Sequence, residues 1–179
     1  VATTTGIAQQ EGLLNINNIA SQYLGTEWSS EPIEKENLIT SRHLLTMTSG
    51  INDESQLVIK SNLTYLADAG TRWSYSNVFQ LLMDVVAAAS DQEFETYFDA
   101  KLKNKIGMDG YWDNGVIFKI YNSTTRSMAR FGLLALNNGK WKDEQVINET
   151  FFNESITTSQ TINPSYGYLW WLNGKSDYM

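Results

Sequence analysis

Hydrophobic residues recur at helical spacing along most of the chain and alternate with polar residues only in short stretches. Residues 2–11 show the helical pattern up to Gly12, and "VFQLLMDVVAAA" shows it after Asn77. Further helices are predicted in "NINNIASQYLG", "RHLLTM", part of residues 53–68, "FETYFDAKLKNKI" and "STTRSMARFGLLALNNG". Strand-like patterns are found in "GVIFKIYN" and "SYGYLWWLN". The pattern therefore predicts a helix-rich protein with a few strands.

Polar residues mark the boundaries of several of these helices. Thr40 or Ser41 is placed to cap "RHLLTM", and Ser90 with Glu93 three residues later matches a capping box. Residues 26–39 are polar and charged and include Pro32, which predicts a surface loop. No repeat, low-complexity tract or linker divides the sequence. We therefore expect residues 1–179 to form a single domain.

Composition excludes several functional classes. A hydrophobic content of 42% in 179 residues favours a folded globular protein. The net charge is −7, and "KLKNK" is the only Lys/Arg cluster, so nucleic acid is not expected as a partner. The sequence has no apolar run near the roughly 20 residues that span a bilayer, which predicts no membrane span. It carries no signal of oligomeric state.

Redox and metal chemistry are also disfavoured by the composition. The chain has no cysteine, which excludes disulfides and thiolate metal sites. Its only histidine, His43, would need several carboxylate partners to make a zinc site. We therefore predict no metal and no cofactor.

The stretch "GTRWSYSNV" carries the strongest candidate chemistry, because Tyr75 and Asn77 lie two residues apart before an apolar helix. A structural interpretation has Ser76 or Asn77 capping the helix, with Tyr75 packed beneath it. In a catalytic interpretation, a phenolate accepts a proton from a hydroxyl, and a carboxamide offers a donor and an acceptor in one rigid group. The catalytic interpretation needs partners from elsewhere.

Four stretches in order resemble the serine β-lactamase and penicillin-binding-protein superfamily, most closely its class C β-lactamase-like branch. They are "LITSRHLLTMTSGI" (38–51), "AGTRWSYSNVFQLLMDVV" (69–86), "STTRSMARFGLLALNNGKW" (123–141) and "YGYLWWLN" (166–173). The resemblance implies an α+β, β-lactamase/transpeptidase-like fold, an antiparallel sheet flanked by helices, of which this chain supplies mostly the helical region. It also implies a bacterial protein that is periplasmic or secreted.

The resemblance further implies roles for two residues. The Tyr75–Asn77 segment matches the family's Y-x-N motif, which faces an acylated serine in S-x-x-K. Tyr75 would be the general base beside that serine. Asn77 would hydrogen-bond the S-x-x-K lysine and the amide or ester oxygen of the substrate. The implied substrate is a small-molecule or short-peptide acyl compound: an amide, an ester, a β-lactam or a short peptide.

Two elements of the family's site are missing from the sequence. No S-x-x-K, K-T-G or H-x-G is present, and "GKSD" (174–177) has Asp177 where glycine should be. We therefore expect residues 1–179 to be an internal segment, an incomplete domain whose nucleophile lies outside this chain. A phenol with the ordinary pKa of about 10 is ionised only about one part in a thousand at pH 7. Without the family's two lysines the segment alone is predicted to be inactive.

Two alternatives to this hydrolase remain. The first is a non-catalytic ligand-binding or regulatory domain on the same scaffold, which an intact gene without S-x-x-K would favour. The second is a hydrolase built from Ser49 and His43. Six residues of continuous helix would place these two side chains about 240° apart, which favours a structural histidine instead. For Trp170 and Trp171, a strand would direct at most one of the two towards a cleft, and core packing is favoured for the pair.

Overall fold

The computed structural model describes residues 1–172 of the chain, and most of the regular structure in this range is helical. The helices are α1 (Ala2–Gln10), α2 (Ser21–Leu24), α3 (Ile33–Glu36), α4 (Ser41–Leu45), α5 (Leu81–Ser90), α6 (Phe94–Phe98), α7 (Asn104–Ile106), α8 (Thr125–Leu136) and α9 (Glu149–Ser155). A π-helical turn (Asp99–Lys103) joins α6 to α7, and 3₁₀ turns are formed by Lys60–Asn62 and Asn77–Gln80.

Two antiparallel hairpins supply the strands of the described chain. Strand β1 (Gly110–Asn114) pairs with β2 (Lys119–Ser123), which places Trp112 opposite Tyr121. Strand β3 (Lys140–Trp141) pairs with β4 (Glu144–Gln145). The prediction of a strand in "GVIFKIYN" is confirmed for its second half, whereas its partner β1 was not predicted.

Helix α5 lies at the centre of the core. Its apolar residues Leu82, Val85 and Val86 follow the i, i+3, i+4 spacing of one helix face, and none of the three is exposed to solvent. Helix α5 packs against α1, α2, α4 and α6. Full burial of each such side chain contributes about 1.5–3 kcal/mol to stability, so this face anchors the element that follows Asn77.

Most of the predicted helices are confirmed, but the capping box predicted at residues 90–93 is wrong, and the helical part of residues 53–68 is limited to one short turn. Ser90 ends α5 instead of capping α6, because Asp91 takes a left-handed conformation (φ 52°) and breaks the helix there. Glu93 is then the residue that precedes α6, and it makes no side-chain cap. Residues 53–68 contain only the short 3₁₀ turn Lys60–Asn62, because main-chain bonds such as Asn52 N to Thr64 O fold this segment back on itself.

The predicted surface loop at 26–39 contains an additional short helix, α3, and a buried acidic side chain. Glu36 is fully buried, and its carboxylate accepts hydrogen bonds from the backbone N–H groups of Glu27 (2.8 Å) and Ser29 (2.9 Å). The Ser29 hydroxyl donates a third bond of 2.6 Å. A buried carboxylate is tolerated here because hydrogen bonds replace its lost hydration.

The prediction that residues 165–173 form a buried strand is wrong over the described part. Tyr166 and Trp171 form an isolated antiparallel bridge, and Gly167 N donates to Trp170 O at 2.9 Å. Between them Leu169 has a left-handed φ of 59°, which turns the chain back on itself. Asn173 and the "GKSD" stretch lie outside the described residues. Separately, the described helices include none long and apolar enough to cross a membrane.

Gly50 follows α4 and provides the first stability prediction. Its φ is +81°, and a Cβ at this position would lie 2.1 Å from the carbonyl oxygen of Ala67. Backbone strain and the steric overlap together predict that Gly50→Ala lowers the free energy of unfolding by about 3 kcal/mol, measured by urea denaturation. Gly12→Ala is the matched control, because Gly12 has a φ of +74° but open space around its Cα. The control should cost only about 1 kcal/mol, and equal losses would contradict the steric explanation.

Candidate active site

The segment Tyr75-Ser76-Asn77 lies where an extended strand-like stretch enters the 3₁₀ turn before α5. Ser76 is extended (φ −141°, ψ 166°) and makes no side-chain cap to the turn, and Asn77 is the first residue of that turn. The helix-capping interpretation of this segment is therefore wrong. The two candidate side chains are held by other contacts.

Tyr75 is exposed on a wall of aromatic side chains. It is 60% exposed, and its ring centroid lies 5.5 Å from that of Trp171 and 6.3 Å from that of Tyr166. Tyr166 itself is only 1% exposed, and burial, with a further contribution from Tyr75, raises the pKa of the Tyr166 phenol above its ordinary value. Of the two adjacent phenols, Tyr166 stays neutral in the core and Tyr75 is the one that a substrate can reach.

Asn77 is buried and its side chain is anchored by the main chain. It is 7% exposed, and its Nδ2 donates a hydrogen bond of 2.8 Å to the carbonyl oxygen of Gln56. This bond uses one of the two N–H groups of the carboxamide. The acceptor Oδ1 and the second N–H are left for other partners.

A cavity of about 370 Å³ adjoins Tyr75. Apart from Thr3 its lining is apolar or aromatic, and it includes the first residues of α1 together with Met47, Phe79, Phe131, Tyr166, Leu169 and Trp170. Met47 (φ 60°) and Leu169 (φ 59°) both have left-handed backbone conformations, which are rare and costly for residues other than glycine. Strain of this kind is concentrated at functional sites, which supports the assignment of this cavity as the candidate site.

The cavity walls are joined by main-chain hydrogen bonds at the end of α4. Met47 O accepts from Ser74 N at 2.9 Å, and Thr48 O accepts from Gly70 N at 2.8 Å. Leu45 O accepts from Leu169 N at 3.0 Å. Segments from three distant parts of the sequence are thereby brought to one place.

His43 and Ser49 have separate structural roles. The Nδ1 atom of His43 accepts a bond from Thr40 N, and Thr40 Oγ1 accepts one from His43 N, each at 3.2 Å; together they cap α4. Ser49 Oγ accepts a bond of 3.4 Å from Ile51 N. Burial lowers the pKa of His43, and the charge of Arg42 lowers it further. This geometry favours the structural interpretation of the histidine.

The two tryptophans border the candidate site from a turn instead of a strand. Trp170 lines the cavity and stacks on Phe131, with 6.1 Å between ring centroids. Trp171 contacts the ring of Tyr75 and is 49% exposed. Because the chain reverses at Leu169, the strand alternation assumed for this pair does not apply.

Several contacts of the site were not predicted from the sequence. Gln56 acts through its backbone carbonyl, which every residue possesses, so no sequence signal identifies it. The contact between Tyr166 and Tyr75 joins two of the four stretches that resemble the family. The order of these stretches along the chain is the sequence signal that could have indicated this contact. Among residues 1–172, no three His, Asp or Glu side chains form a group that could hold a metal ion.

Comparison with known proteins places these features in a family context. A family model described as Beta-lactamase matches residues 1–178. The structure is similar to a candidate β-lactamase from Bacteroides dorei, with a TM-score of 0.78 and 16% sequence identity over 93% of this chain and 61% of that one. No curated protein sequence matches the chain.

Two further solved structures are similar. A candidate 6-aminohexanoate-dimer hydrolase from Bacillus anthracis has a TM-score of 0.72 and 20% identity, with 95% of this chain and 56% of that one covered. A D-stereospecific amidohydrolase from Streptomyces sp. has a TM-score of 0.67 and 14% identity, with 93% and 66% covered. The similarities confirm the predicted α+β, β-lactamase-like fold. The chain spans less than two thirds of the length of each of these three structures.

The cap of α4 predicts a pH dependence of stability. Because the pKa of His43 is lowered in the folded state, the folded protein resists protonation at this site more than the unfolded chain does. The stabilising contribution of His43 is fully present at pH values above the ordinary histidine pKa of about 6.5. It is lost as the pH falls towards the lower pKa that His43 has in the folded state. His43→Gln keeps a capping side chain without a titrating group. Between about pH 7.5 and about pH 5, the wild type should lose more free energy of unfolding than this variant, and parallel profiles would contradict the prediction.

Proposed function

The chain belongs to the β-lactamase family, and from that premise we propose that it forms part of a serine hydrolase that works through an acyl-enzyme. The observation that carries the proposal is an exposed Tyr75 on the lining of an apolar cavity, followed two residues later by a buried Asn77 that the Gln56 carbonyl anchors. This pair matches the Y-x-N motif of the family in residue type and spacing. The phenol is accessible to a substrate, and the carboxamide, two residues further along the chain, is held by a backbone carbonyl.

In the proposed mechanism Tyr75 accepts the proton of the nucleophilic serine as that serine attacks the acyl carbon. Tyr75 then donates this proton to the amine or alcohol that leaves as the acyl–nitrogen or acyl–oxygen bond breaks. Asn77 Oδ1 accepts a hydrogen bond from the lysine of S-x-x-K. The second N–H of Asn77 Nδ2, which is not used by Gln56 O, donates to the amide or ester oxygen of the substrate. The serine and its lysine belong to the part of the domain outside this chain. The first residues of α1 line the same cavity as Tyr75, which supports a nucleophile positioned at that end of the helix.

Water then hydrolyses the acyl-serine and releases the acid. The substrate is an amide, an ester, a β-lactam or a short peptide, and the apolar lining of the cavity supports an uncharged, apolar acyl group. Two of the similar proteins are named for the hydrolysis of amides or of an aminohexanoate dimer. This chemistry uses no cofactor. A periplasmic or secreted location in a bacterium belongs to the same proposal.

The proposed role of Tyr75 predicts how the removal of its hydroxyl group affects turnover. In the full-length protein, Tyr75→Phe should lower kcat at least about 100-fold, because the nucleophile loses its proton acceptor while the aromatic packing is kept. The measurement is turnover of p-nitrophenyl butyrate, with nitrocefin as a second substrate. Tyr111→Phe is the matched control, since Tyr111 lies on β1 and is 68% exposed.

The control variant should retain wild-type turnover. Unchanged turnover in Tyr75→Phe would remove the tyrosine from the mechanism. Binding of these compounds without turnover by the wild type would instead favour a non-catalytic ligand-binding domain.

A further inference from the structure

Asn77 depends on the short segment 52–56 for its orientation. Within residues 1–172, the Asn77 side chain makes one hydrogen bond, from its Nδ2 to the carbonyl oxygen of Gln56. If Gln56 moved, the carboxamide could rotate and present its NH₂ group, instead of its oxygen, to an ammonium ion. The position of the Gln56 carbonyl is therefore a condition for the proposed role of Asn77.

An ion pair also joins segment 52–56 to residues 72–77, the segment that contains Asn77. Arg72 Nη2 lies 3.2 Å from Asp53 Oδ1 and 3.0 Å from Asp53 Oδ2, so one nitrogen donates to both carboxylate oxygens. The Asp53 side chain is 18% exposed and that of Arg72 is 39% exposed. Asp53 precedes Gln56 by three residues, and Arg72 precedes Asn77 by five. The segments are thus joined at two points, once by the ion pair and once by the Asn77–Gln56 bond.

The stretch from Asp53 to Gln56 is held by hydrogen bonds of Ser55, which lies between these two residues. Ser55 Oγ accepts from Leu57 N at 3.2 Å and from Asn62 Nδ2 at 2.9 Å. A stretch held in this way transmits a displacement of Asp53 to Gln56 instead of absorbing it. The ion pair can therefore set the position of the carbonyl that holds Asn77.

We propose that Asp53 and Arg72 are positioning residues that fix the Asn77 carboxamide through the Gln56 carbonyl. This inference rests on the proposed hydrolase function. A partly exposed ion pair contributes little to stability. A displacement of about 1 Å at a catalytic group can nevertheless cost up to about 100-fold in rate. The loss of the pair should therefore affect kcat much more than thermal stability.

The test uses Asp53→Asn in the full-length protein, with Asp99→Asn as the matched control. Asp99 forms a comparable partly exposed ion pair with Lys103 at 2.6 Å, in the helical segment 94–106 instead of beside Asn77. For p-nitrophenyl butyrate, Asp53→Asn should lower kcat about 10-fold with KM nearly unchanged. Asp53→Glu, which keeps the carboxylate, should restore most of that loss. Asp99→Asn should retain the wild-type kcat, and the two Asp→Asn variants should have similar Tm values.

A second readout does not depend on turnover. The side-chain amide resonances of Asn77, followed by ¹⁵N NMR, should shift in Asp53→Asn and stay in place in Asp99→Asn. If Asp53→Asn has the same kcat as the wild type and its Asn77 resonances do not shift, the inference is overturned and the Tyr75 mechanism stays intact. A wild type without turnover would overturn the proposed function, and the catalytic role of the ion pair with it, whatever the amide resonances show.

Discussion

Main-chain hydrogen bonds at the C-terminal end of α4 are the constraint on which the candidate site depends. The carbonyl groups of Leu45, Met47 and Thr48 accept bonds from residues 169, 74 and 70 respectively. A buried carbonyl without a partner costs free energy, so each of these bonds fixes the segment that supplies the donor. The strain at Met47 and Leu169 is tolerated because these bonds hold both residues in place.

The two candidate catalytic side chains differ in how they are held, and that difference suits their proposed tasks. Asn77 is the first residue of the 3₁₀ turn that precedes α5 and is anchored by Gln56, so its geometry is fixed by burial and by one hydrogen bond. Tyr75 is held by aromatic contacts and keeps its surface open to solvent. A base must meet its substrate, whereas an anchoring amide needs a defined position.

The helical core could be predicted from the sequence, and a motif in the sequence indicates the two candidate site residues, whereas the contacts around these residues could not be predicted. Helix α5 has a clear apolar spacing, and the Tyr75–Asn77 segment matches a motif of defined residue types. Residues 166–172 show strand-like alternation, but the left-handed conformation of Leu169 overrides that local preference. Gln56 contributes a carbonyl that has no sequence signature, and Asp53 pairs with Arg72 across 19 positions without any periodic pattern.

The central claim is that Tyr75 activates a serine from outside this chain. The most direct measurement treats the full-length protein with an aryl phosphonate ester, which labels activated serines, and locates the adduct by peptide mass spectrometry. The predicted result is a single adduct on a serine outside residues 1–179, formed much more slowly in Tyr75→Phe. An adduct on Ser49, or an equal rate of labelling in Tyr75→Phe, would contradict the claim.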